Sequence, residues 1–114
     1  MDNKNKNSES ESQQVNLRNQ VEMLIKTIYD PEIPINIWEL GLIYDIKITA
    51  NKEVVVLMTL TAPNCPVAEG LPAEVEEKIK QLPDVKDAKV MITFDPPWDQ
   101  SMMSESAKFE LGLF

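Results

Sequence analysis

The sequence predicts a small single domain of the α/β (α+β) class, in the order α-β-β-α-β-α, with a three-stranded mixed sheet packed by helices. Three observations lead there. Apolar residues recur at helical spacing in two separate stretches. Two strand-like runs between those stretches are joined by a short polar turn. A third alternating run follows the second helical stretch, and a short capped helix closes the chain. At 114 residues with 43% apolar content, the chain is one domain with enough hydrophobic material for one core. No internal repeat and no domain boundary is visible.

Residues 1–14 are Asn, Lys, Ser, Glu and Gln without a hydrophobic anchor, so a disordered polar tail is expected, with the folded domain at 15–114. Leu17, Val21, Leu24, Ile25 and Ile28 then mark a core-facing helix, with Asn16 as a reasonable N-cap. It must stop near Tyr29, because Asp30 precedes Pro31. Two prolines enforce an extended or turn path through Asp30-Pro31-Glu32-Ile33-Pro34-Ile35-Asn36-Ile37. Asp30 and Glu32 read as turn chemistry, or as two carboxylates held near a site; the residues alone favour the turn.

Leu42, Tyr44, Ile46 and Ile48 alternate on one face of a half-buried strand. Ala50 to Glu53 is a short turn, making the next strand a hairpin partner. Val54 to Leu60 is nearly continuously apolar and reads as a strand covered on both faces. Leu71, Val75, Ile79 and Leu82 then predict a helix to about Gln81. It starts either at Pro66, with Cys65 as N-cap, or at Pro72, since proline suits the first turn. Val90, Ile92 and Phe94 form the third strand, ended by Asp95-Pro96-Pro97-Trp98. A short helix capped by Asp99 or Ser101 runs to about Leu111, where Gly112 stops it. Trp98 either caps the core or joins Met102 and Met103 in an adaptable docking patch.

Composition narrows the chemistry. The net charge is −8, which disfavours nucleic acid and anionic membrane as partners. No run is apolar enough to span a bilayer, and the start has no apolar stretch of the signal-peptide kind. There is one cysteine and no histidine. That fits a reducing compartment. It also removes a Cys–His dyad, a dithiol cycle and a Cys/His zinc site. A self-contained enzyme is therefore not expected; a carboxylate enzyme using Asp30 and Glu32 is a distant third reading.

The remaining chemical handle is Cys65, bracketed by Pro63 and Pro66. If the following helix starts at Pro66, its amide end favours the thiolate; if it starts at Pro72, that argument weakens. One thiolate cannot hold a cluster that normally takes four protein ligands. A homodimer would bring two Cys65 together, and other ligands would come from small thiols, oxygen groups or a client. A site short of ligands binds weakly, which suits transfer more than storage.

Three stretches carry a family resemblance. Asp30 to Ile37 followed by Glu39-Leu40-Gly41-Leu42-Ile43-Tyr44 resembles the opening of the SufT/PaaD-like iron–sulfur cluster assembly family. Met58 to Pro66 looks like its cysteine loop. Phe94-Asp95-Pro96-Pro97-Trp98, with Met103-Ser104-Glu105 and Glu110-Leu111-Gly112, looks like its closing motif. The resemblance covers everything beyond the tail, and similar domains sit beside P-loop ATPases of the Mrp type.

The resemblance implies a cytoplasmic maturation factor, a carrier or adaptor delivering clusters to apo-proteins through one reactive Cys. Its cofactor would be a transient iron–sulfur cluster, intersubunit or shared with a client. Its partners would be the assembly machinery and apo iron–sulfur clients. Cys65 is then the key thiol and metal ligand. Asp30, Glu32 and Thr61 are expected neighbours, and Glu105 lies in the matched closing segment. PaaD proteins usually carry extra C-terminal cysteines that this chain lacks, so the resemblance favours the SufT branch. Trp38 stands where smaller residues are common and is expected to pack. The alternative of a different class is a non-catalytic interaction scaffold with a structural Cys65.

Overall fold

A computed structural model describes residues 15–61 and 70–113. The polar tail and the stretch 62–69, with Cys65, lie outside the described residues. Helix α1 covers 15–25. It is followed by β1 (Ile43–Ile48), β2 (Glu53–Met58), α2 (Leu71–Lys80), β3 (Asp87–Ile92), a 3-10 turn (Gln100–Met102) and α3 (Glu105–Glu110). The α-β-β-α-β-α order and the mixed sheet expected from the sequence are both present.

The sheet order is β1-β2-β3. β1 and β2 form the expected antiparallel hairpin, whereas β2 and β3 run parallel, with Val54 opposite Ala88 and Met58 opposite Ile92. A parallel neighbour needs a long crossover, and α2 lies within it. Leu17, Val21 and Ile25 of α1, Val54, Val56 and Met58 of β2, and Leu71, Val75 and Ile79 of α2 meet in one core.

Several boundaries differ from the sequence reading. Val15 is already helical, so Asn16 lies inside α1 and does not cap it. α1 ends at residue 25, because the next bonds tighten to three-residue steps, from Thr27 N–H to Leu24 and Ile28 N–H to Ile25. Tyr29 instead forms a bridge with Asn36. β2 is buried on one face only; Val55 and Leu57 on the other are half-buried. Helix α2 has Gly70 as its N-cap, with Pro72 in the first turn, so the start at Pro72 is approximately right and Cys65 is not the cap. β3 begins three residues before Val90, since Asp87 and Lys89 turn to solvent while Ala88 fills the core. The closing helix is two pieces. Asp99 caps the 3-10 turn, and Ser104 caps α3 by accepting from Ala107 N–H. Gly112 follows α3 at φ +70°, a left-handed stop.

On each sheet edge two backbone groups are held by side chains. On β1, Ile46 N–H donates to its neighbour Asp45 and Ile46 carbonyl accepts from Arg18 of α1 at 2.9 Å. On β3, Ala88 N–H donates to Asp87 and Val90 N–H donates to Glu76 of α2 at 3.2 Å. Edge groups left unpaired would template pairing with another chain.

Candidate functional site at the end of the sheet

The Asp30–Tyr44 stretch is built from its backbone outward. Asp30 is buried, and its Oδ1 accepts from Glu32 N–H at 2.8 Å and Ile33 N–H at 3.1 Å. This is a side chain holding a turn in place of backbone. Asn36 Oδ1 does the same for Glu39 N–H.

A relay of main-chain hydrogen bonds then carries the turn to the exit of β2. Ile37 N–H donates to Ile28, Leu42 N–H to Ile37, and Thr59 N–H to Leu42, at 2.8, 3.1 and 2.8 Å. Thr59 is fully buried, and Thr61, two residues on, is half-buried. Thr61 is the last described residue before the cysteine stretch.

The closing motif docks on the same place. Trp98 Nε1 donates to Leu40 carbonyl at 2.7 Å, and Ser104 N–H donates to Glu39 carbonyl at 2.8 Å. Gly41 has φ +81°, and a Cβ there would run into the Met102 carbonyl. A side chain is thus excluded twice, by backbone conformation and by space. A bulge between Ile43 and Asp45 re-aims Tyr44. Its hydroxyl donates to Pro96 carbonyl at 2.8 Å and lies 3.5 Å from Met102 Sδ. Thr93 N–H donates to Met58 carbonyl at 3.0 Å. The first and third motifs are therefore stapled together where β2 ends and the second motif begins.

The proposed docking patch dissolves in this arrangement. Trp98 is half-buried against the core with its N–H used, and Met103 is buried. Trp38 also packs on the core, with Lys26 Nζ 5.7 Å from its ring centre.

The expected site residues separate into groups. Asp30 and Glu32 share one turn. Glu32 is exposed, and Glu105 is exposed in the first turn of α3. Among the described residues no three His, Cys, Asp or Glu side chains come together as a metal-binding group. Cys65 itself lies outside them. α2 begins at Leu71, close to the Pro72 start with which the helix-terminus argument for a thiolate at Cys65 weakens. Sequence reasoning missed Thr59 and the structural part of Gly41. Gly41 did carry a signal, as a lone glycine immediately before a strand.

Comparison with known proteins resolves the family. A family model described as iron–sulfur cluster assembly protein matches residues 18–92, more than half of the chain. The chain belongs to this family. It is 48% identical over 89 residues to an Fe-S protein maturation auxiliary factor of Porphyromonas gingivalis, covering 78% of this chain and 85% of that one. It is 36% identical to the Fe-S protein maturation auxiliary factor SufT of Staphylococcus aureus, covering 75% of this chain and 98% of SufT. Among solved structures, a DUF59 domain from Bacillus anthracis superposes with a TM-score of 0.80 at 31% identity, covering 87% of this chain and 94% of that one. The SufT-like resemblance read from the three motifs thus holds. Among the described residues no helix is long and apolar enough to cross a membrane.

Proposed function

We propose that this member of the iron–sulfur cluster assembly family is a non-enzymatic maturation factor that handles a cluster, as cargo, through Cys65. A role in iron–sulfur cluster assembly and maturation follows from the family. The observation that carries the finer reading is the lone thiol: one cysteine and no histidine in a chain that matches maturation factors along most of its length.

Cys65 thiolate would take one coordination position on an iron, with its proton passing to solvent. A client cysteinate would later replace it in a ligand exchange that leaves the cluster's charge and oxidation state unchanged. The remaining positions belong to a second Cys65 in a homodimer, a small thiol or the client. Asp30 acts as a positioning residue, because one of its oxygens already holds the turn. Thr61 stands at the entry to the thiol stretch, and Glu32 and Glu105 contribute surface charge. The protein's expected place of work is the cytoplasm, a reducing compartment that suits one unpaired cysteine.

The test is anaerobic reconstitution of wild type and Cys65→Ala, with absorbance, iron, sulfide and mass read together. A labile chromophore that requires Cys65 supports a carrier. If neither protein gains a chromophore, yet Cys65→Ala lowers client activity in cells, the adaptor form holds. Unchanged client activity in Cys65→Ala overturns the thiol reading.

A further inference from the structure

A recess of about 90 Å³ lies between the 29–39 segment and α3. We propose that it receives the side chain of a lysine from a partner protein. This inference goes beyond the cluster-handling reading and involves no thiol.

Size is the first argument. A cavity of about 150 Å³ accommodates benzene. A recess of about 90 Å³ suits an unbranched chain of a few atoms better than a ring. Lining chemistry is the second. Pro34, Ile35 and Ala107 offer apolar wall, while Glu39, Glu110 and Tyr29 offer polar groups. A lysine stem buries its methylenes along apolar surface and keeps its ammonium at a polar rim.

Charge is the third. Glu22, Glu74, Glu76 and Asp87 each have a lysine partner within this chain. Among the described residues, no ion pair reaches the carboxylates of Glu39 or Glu110. A net charge of −8 draws a basic partner toward the whole surface. Finally, the walls are tied together, since Ser104 N–H bonds Glu39 carbonyl and Ser104 Oγ caps Ala107. A tied recess loses little freedom on filling.

The probe is an acetylated Ala-Ala-Lys-Ala-Ala amide, titrated into the 15N-labelled full chain. The control is the same peptide with norleucine for lysine. Shifts should cluster at Tyr29, Glu39 and Ser106, with the lysine peptide roughly two- to fivefold tighter than the norleucine peptide. Added salt should weaken binding. E39Q/E110Q should remove the lysine preference while keeping the wild-type circular dichroism; E110Q alone serves if the double variant misfolds. Equal binding of the norleucine peptide, shifts elsewhere, no binding, or an unaffected variant each overturn the proposal. A dimer that the peptide dissociates would overturn it in favour of a second copy of this chain.

Discussion

The indole N–H of Trp98 donates to the carbonyl of Leu40 at 2.7 Å, across 58 residues of chain. Leu40 is fully buried, so its carbonyl would otherwise face an apolar interior without a donor. Trp98→Phe keeps one aromatic ring and removes this bond together with the five-membered ring of the indole. It should cost about 1–2 kcal/mol in urea unfolding, because a buried acceptor is left unmet. A loss below about 0.3 kcal/mol would mean that the carbonyl finds water and the staple is weak.

Gly41 is the tightest point of the same staple. Gly41→Ala must adopt a left-handed φ and push the Met102 carbonyl aside. The conformation alone costs about 1 kcal/mol, and displaced backbone adds to it. An overall loss of about 2–4 kcal/mol is expected from the denaturation midpoint. The amide signals of Met102 and Ser104 should shift with it.

Asp30 separates a positioning role from a charge role. Asp30→Asn retains an oxygen that can accept from Glu32 and Ile33 N–H. Asp30→Ala retains none and should lose about 1–3 kcal/mol. If Asn preserves both stability and client activity while Ala loses both, the turn is what Asp30 supplies. Loss of client activity in a stable Asp30→Asn would instead assign the charge itself to function.

Lys52 sits at φ +62° in the β1–β2 hairpin. A side chain there is strained, and glycine is not. Lys52→Gly should leave stability unchanged or raise it by up to about 1 kcal/mol, despite the greater freedom glycine has when unfolded. Thermal unfolding followed by circular dichroism measures this. A fall of more than about 1 kcal/mol would show that Lys52 makes a stabilising contact through its side chain.

The element order was legible because it lives in side-chain periodicity. Leu17 to Ile25 and Leu71 to Ile79 announce their helices one residue at a time. β3 was placed late because Asp87 and Lys89 look like turn residues; only pairing with Glu53 and Val55 reveals them as the solvent face of a strand. Ser104 was overlooked as a cap in favour of Asp99 and Ser101, since all three residues suit the role locally. The three motifs were visible as motifs, but their meeting place was not. It is made by main-chain bonds from Ile28 through Ile37 and Leu42 to Thr59, and backbone amides leave no trace in residue type. Tyr44 was assigned to the inner face because strict alternation cannot foresee a bulge.

The side chains that close the two sheet edges reach beyond stability. Arg18 and Asp45 occupy one border of the sheet, and Glu76 and Asp87 the other. A visiting chain therefore finds few free amides or carbonyls to zip onto at these positions. At these positions recognition rests on shape and charge, a vocabulary that differs between visitors. Strand addition, by contrast, would welcome any extended segment, including an apo-protein that has not yet folded. A segment adding as a strand would first have to displace these side chains.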